Sequence, residues 1–309
     1  MSHPTRFRYW LILLGVALSA LATHARSTQA ETPAEAEPAD KPKQEIEWVR
    51  LLREKGQPLA LQTAIVRYKP IDVAKAGVVV DLIGAIHIGD ESYYDALNRQ
   101  FEEYDVVLYE LVAPEGTKIE PGNRHRGGHP VSAMQNGMKD MLKLEHQLER
   151  IDYSKKNFIH ADMSPDEFAK SMTDRGEGFG QMFFKMMGMS LAEQSRQQAQ
   201  GKSTDADLLM AFFMPDRALR MKRIMAEQFS EMESLLVGFA GPEGSTIITE
   251  RNKKALEVLT RELGKGHKKI GIFYGAGHME DMHERLLRDF QLQPTKTFWV
   301  DAWDLRGKK

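Results

Sequence analysis

Two short units of the chain put metal-binding residue types at matched spacing. Gly84-Ala85-Ile86-His87 and Gly275-Ala276-Gly277-His278 each close an apolar run, with a glycine three residues before the histidine. A carboxylate follows each histidine after the same interval of 23 residues: Glu110 in the first unit and Asp301 in the second. Two imidazoles and a carboxylate suit a divalent ion that keeps one position open to water. Such an ion lowers the pKa of bound water and makes a nucleophile near neutral pH, and a further carboxylate can take the proton. His87, His278 and Glu110 are the expected ligands. Glu110 is alternatively the general base, with Asp301 or Asp162 completing the site. Mn, Co or Zn would each suit these donors. One glycine–x–x–histidine at a strand end more often marks a structural histidine; the matched pair is what points to a site.

Other histidines carry less. "NFIHADMSPDEF" sets His160 and Asp162 just ahead of a capped helix, as further ligands, a substrate clamp, or an ordinary loop pair. His125 and His129 lie in the glycine-rich "NRHRGGHP", a candidate lid beside the site. His283, five residues past His278, is expected on the solvent side of the following helix.

The elements that must position these residues can be read from periodicity. "AGVVVDLIGAIHIG" is a near-continuous β-branched run, as in a strand buried on both faces. Asp90 is placed to cap a helix, and Tyr94, Leu97, Phe101 and Tyr104 follow at helical spacing. "DVVLYELV" is the next strand. "KKIGIFYGAGHMEDMHERLLRDF" and "TKTFWVDAW" repeat the strand, helix, strand order, after the helix "TERNKKALEVLTRELGKG". The fold class predicted is α/β: duplicated βαβ units forming a mainly parallel sheet, with a helical insertion at about 124–239 between the halves. In such a sheet ligands sit beyond the carboxyl ends of the strands. The insertion is polar and rich in methionine. Ser164-Pro-Asp-Glu167 reads as a capping box, Ser190-Leu-Ala-Glu193 as another candidate, and Met214-Pro215 as a helix start. "QMFFKMMGM" and "LLMAFFMP" are core filling or the lining of an adaptable groove.

The pattern of "GAIH", "VVLYELV", "ERN" before a helix and a late "GAGH" resembles the TraB/PrgY/GumN/Tiki group, a distant relation of the erythromycin esterase and ChaN-like proteins. The resemblance covers the two βαβ units and Glu250-Arg251-Asn252, somewhat under half of the chain. That group is described by two glycine–x–x–histidine motifs with a glutamate and an arginine between them. The matching positions here are His87, Glu110, Arg251 and His278. The resemblance implies an α/β catalytic core and, for the Tiki branch, peptide hydrolysis dependent on a divalent metal. It also gives Arg251 a place: binding a substrate carboxylate, stabilising an oxyanion, or holding Glu110. Asn252 is a candidate donor to the same oxyanion, and Thr249 a candidate helix cap.

Composition narrows the remaining classes. There is no cysteine, which excludes disulfides, thiolate catalysis and cysteine-ligated metals. Lys+Arg at 42 against Asp+Glu at 44, with no basic patch, argues against a nucleic-acid partner. No serine-hydrolase elbow, zincin helix, Walker loop or dinucleotide glycine motif is present. Residues 1–25 read as a signal peptide: Arg6 and Arg8 precede an apolar core from Trp10 to Ala22, shorter than the ~20 residues a spanning helix needs. Membrane contact is expected only through this segment, if uncleaved. Residues 26–45, rich in Ala, Glu and Pro, read as a disordered linker to a domain at 46–309. The expectation is a periplasmic metal-dependent hydrolase of a peptide or other small amide or ester substrate. The alternatives are a non-catalytic binder of a peptide or haem-like ligand, using Tyr93, Tyr94 and the methionine-rich helices, or a metal-free esterase with histidine as base.

Overall fold

Strand β1 (Val49–Glu54) turns back into β2 (Gln57–Pro70) through Lys55-Gly56. Both turn residues have positive φ, 49° and 80°, the twist that a two-residue hairpin needs. The computed structural model describes residues 46–114, 116–117, 142, 144–178, 216–240 and 244–307. After β2 come β3 (Val79–Ala85), α1 (Glu91–Phe101), β4 (Val106–Tyr109), β5 (Phe158–His160), α2 (Pro165–Asp174) and α3 (Arg217–Ala240). A π-helical turn, Thr246–Glu250, then runs into α4 (Arg251–Gly264), followed by β6 (Lys269–Gly275), α5 (Met279–Phe290) and β7 (Leu292–Asp304). The signal-peptide and linker readings lie outside the described residues. So do both methionine-rich runs, Ser190–Glu193, His125 and His129. Among the described residues no helix is long and apolar enough to cross a membrane.

The architecture is α/β, as expected. β3, β6, β4 and β5 are successive parallel neighbours. β2 is antiparallel to β3 and to β7, so β7 shares the direction of the parallel strands. The two βαβ units are interleaved, because β6 of the second lies between β3 and β4 of the first. The register sets Ala85 opposite Gly275 and Tyr109 opposite both Phe273 and His160. Four strand ends therefore meet at one edge. The inserted stretch is not wholly helical, since β5 falls within it and joins the sheet.

Alternation along the strands feeds two cores. Ile65, Ile83, Val107 and Phe273 face Tyr93, Tyr94, Leu97 and Phe101 of α1, and Met221 and Ala226 of α3. Val66, Leu82, Leu108 and Ile272 face Leu256 and Leu259 of α4, and Met279, Met282 and Leu286 of α5. Helices covering both faces explain why these strands read as continuous apolar runs. His283 departs from expectation: it is buried, and its Nδ1 lies 2.8 Å from the Tyr68 hydroxyl. It occupies the inward stripe of α5 with Met279, Met282 and Leu286, spacing that the amphipathic pattern dictates. Tyr93 and Tyr94 are buried too, so they are core and not a ligand pocket.

Local caps behave as their chemistry directs, with two exceptions. Ser164 Oγ accepts from the Glu167 N–H, Glu167 accepts from the Ser164 N–H at 2.8 Å, and Pro165 opens α2. Asp90 sits at the start of α1 without capping it. Its carboxylate instead takes Lys222 of α3 and the Asp304 N–H, tying three elements together. Ser245, not Thr249, caps the turn before α4, accepting from the Ile248 N–H.

Glu167 also takes Lys254 Nζ of α4. That ammonium, with the Ser164 N–H, holds its carboxyl down at about 2. A depressed folded-state pKa stabilises above the unfolded value and is lost as pH falls through the folded one. Glutamine keeps the capping box and the Lys254 pair is exposed, so Glu167→Gln should cost only about 0.5 kcal/mol near neutral pH. The difference from wild type should shrink steadily from about pH 4.5 towards 2. Urea unfolding of both proteins across that range checks it.

Candidate metal centre

The parallel register builds the site. β3 and β6 are neighbours, so His87, two residues past Ala85, and His278, three past Gly275, emerge at the same sheet edge. Glu110 leaves the end of β4 on the other side of β6. Gly275 is the point where they converge. A carbon added there would stand 3.3 Å from Glu110 Oε2, 3.8 Å from His278 Cδ2 and 3.9 Å from His87 Nε2. Glycine leaves open a small volume that the two imidazoles and the carboxylate surround.

Each ring has an outer partner. Asn252 Nδ2 donates to the His278 carbonyl at 3.0 Å and to Asp281 at 2.8 Å. Both are acceptors only, so the amide oxygen must be the atom 2.7 Å from His278 Nδ1. His278 Nδ1 therefore carries the proton and Nε2 faces Glu110 Oε1, 3.5 Å away. Gln147 Oε1 stands 3.2 Å from His87 Nδ1, leaving His87 Nε2 towards Gly275.

Glu110 is held from both sides. Its Oε1 accepts from Arg251 Nη2 and its Oε2 from the Gly275 N–H, each at 2.7 Å. Burial would raise its pKa, but His278 and His87 when protonated in the ion-free site, together with Arg251, hold the carboxyl well below the usual range. Arg251 in turn grips Asp162 with Nε and Nη2, and both partners are buried. Tyr94 braces the strand end, donating its hydroxyl to the Ile86 carbonyl at 3.2 Å.

The other expected residues serve different ends. Asp162 is the anchor of Arg251 and also accepts from the Met163 N–H. His160 Nε2 donates to the Leu111 carbonyl at 2.6 Å, so that nitrogen fixes the loop after β4. Asp301 reaches the right edge, but on β7, with β2 and β3 between it and β6. It pairs with Gln62 at 2.6 Å and Arg306 at 3.0 Å, two strand spacings (roughly 10 Å) from His87's strand. The matched 23-residue interval thus sets two carboxylates at one edge and only Glu110 in the cluster. Asn252 is spent on His278 and Asp281 and has no amide hydrogen left for an oxyanion. Gln147 was not signalled by any spacing: it lies 60 residues from His87 in sequence.

His278 Nε2 and Glu110 Oε1, 3.5 Å apart, match two ligands of one tetrahedral ion, whose donors at 2.0–2.2 Å stand about 3.4 Å from each other. Among the described residues no group of three or more His, Cys, Asp or Glu stands close enough together to hold a metal ion as it is. The donor types and the space at Gly275 nonetheless suit a divalent cation. Formal charge agrees: Glu110 and Asp162 outweigh Arg251 by one. An open groove elsewhere, lined by Pro70, Val78, Leu256, Leu263, Phe290 and Leu292, contains none of these residues.

Gly275 supplies a sharp test. Its φ of −53° and ψ of 142° suit any residue, so alanine would not strain the backbone. The added methyl would press on Glu110 Oε2 and fill the central volume. Gly275→Ala should stay folded and lose divalent-ion affinity at least tenfold, the lower end of what disturbing an outer partner costs. Equilibrium dialysis against circular dichroism reads both.

Comparison with protein-family models, with curated proteins and with solved structures found no match.

Proposed function

We propose that the chain is a metal-dependent hydrolase acting on a peptide or amide bond. The observation that supports this most is the convergence of His87, Glu110 and His278 on the space beside Gly275. His87 and His278, through Nε2, and Glu110 are the residues that would hold the ion. A bound Mn, Co or Zn ion would supply a Lewis acid and a water nucleophile near neutral pH. Glu110, fixed by Arg251 and the Gly275 N–H, acts as a constant negative charge. Arg251, anchored by Asp162, is a positioning residue that aligns Glu110 directly, in place of the substrate-binding and oxyanion roles. The resemblance to the TraB/PrgY/GumN/Tiki group agrees with this chemistry, and the export-signal reading would put the substrate in the periplasm. Tyr93 and Tyr94 are core and would not line a binder's pocket; the methionine-rich runs of that alternative lie outside the described residues.

The test is turnover of a mixed peptide library by the metal-free and Co²⁺-loaded protein. Release of new amino termini that a chelator stops and added ion restores is the expected result. Cleavage indifferent to chelator would transfer the chemistry to a histidine base, and an ion-loaded protein that cleaves nothing would refute hydrolysis.

A further inference from the structure

We propose that Gln147 is the positioning residue that makes His87 competent to bind a cation, the counterpart of Asn252 at His278. This rests on the metal-centre reading. Gln147 is buried and grips His87 twice: its backbone N–H donates to the His87 carbonyl at 2.9 Å, and its Oε1 stands 3.2 Å from His87 Nδ1. The flanking residues are fixed as well, since Ile88-Gly89 pairs with Glu145-His146 in a short antiparallel bridge. With the amide oxygen on Nδ1, the ring proton stays there and Nε2 keeps its lone pair for an ion.

The two outer amides differ in one respect. Asn252 donates to two acceptor-only groups, so its orientation is dictated. Gln147 Nε2 meets the Tyr153 hydroxyl at 2.9 Å, and a hydroxyl can donate or accept. Turning this amide over would set its NH₂ against Nδ1, force the proton onto Nε2 and remove a ligand. The His87 half of the site thus depends on the segment carrying Gln147 and Tyr153, which lies within the insertion between the two βαβ units. Without that segment the sheet edge presents His278 and Glu110 in fixed form, but not His87.

The experiment uses full-length mature protein, Co²⁺ as probe, and the variants Gln147→Leu and Gln147→Glu. Two readouts are taken: Co²⁺ affinity, and the ¹⁵N signature of the His87 tautomer in metal-free protein, assigned with His87→Ala. The expected result is an Nδ1-protonated ring in wild type, loss of that signature with 10–100-fold weaker Co²⁺ binding in Gln147→Leu, and recovery of both in Gln147→Glu, whose carboxylate offers the same acceptor. An Nε2-protonated ring in wild type, or unchanged tautomer and affinity in Gln147→Leu, overturns the assignment. If wild type takes up no Co²⁺, the metal reading fails, and the tautomer still decides whether Gln147 positions His87.

Discussion

Replacing His87 or His278 with alanine should abolish divalent-ion binding and any ion-dependent hydrolysis while the fold persists. The loss should exceed the 10–100-fold that removing an outer partner costs, because a ligand itself is gone. The reason lies in the donor count. Among the described residues, His87, Glu110 and His278 supply the atoms nearest the space at Gly275, and Glu110 already spends one lone pair on Arg251 and one on the Gly275 N–H. Two remaining donors leave no basis for a tetrahedral site with one open position. His278→Ala should also lower stability by about 1–3 kcal/mol, because the buried Asn252 oxygen loses its donor. His87→Ala should cost less, because His87 is exposed and its bond to Gln147 only partly buried, whereas His278 and its bond to Asn252 are buried. Parallel ion titration and urea unfolding separate the two effects. Variants that keep wild-type affinity would remove these histidines from the site.

Arg251→Ala should be the most destabilising single change at the site, lowering unfolding free energy by about 3–5 kcal/mol. One guanidinium serves two buried carboxylates: Asp162 through Nε and Nη2, and Glu110 through Nη2. Removing it leaves two negative charges facing one buried space. Arg251→Lys keeps a charge but loses the planar fork, so it should recover only part of the stability. Asp162→Asn should free Arg251 to swing towards Glu110 and be milder. Urea unfolding of the three variants measures the order. An Arg251→Ala protein as stable as wild type would show that the charges find other partners.

The residues that carry chemistry were more legible in the chain than the network that holds them. His87, Glu110 and His278 end strands of continuous apolar character, and strand ends in an α/β sheet share an edge. Periodicity alone therefore implied their proximity. Asp301 was misleading for the same reason: spacing says that a strand ends, not which neighbours separate it from the rest. β2, antiparallel and upstream of both motifs, is what sets β7 apart. His283 shows the limit of counting from a single residue, since the inward stripe of α5 appears only when Met279, Met282 and Leu286 are taken with it. Gln147 had no local signal at all; a hydrogen bond across 60 residues follows from the fold and not from any motif.

The central claim is that the two glycine–x–x–histidine units form one divalent-ion site, and ion stoichiometry tests it most directly. Purified protein, stripped with chelator and dialysed against Mn²⁺, Co²⁺ or Zn²⁺, should retain about one ion per chain, and Gly275→Ala should retain far less. Folded wild-type protein that retains no more of any of the three than Gly275→Ala does would contradict the account.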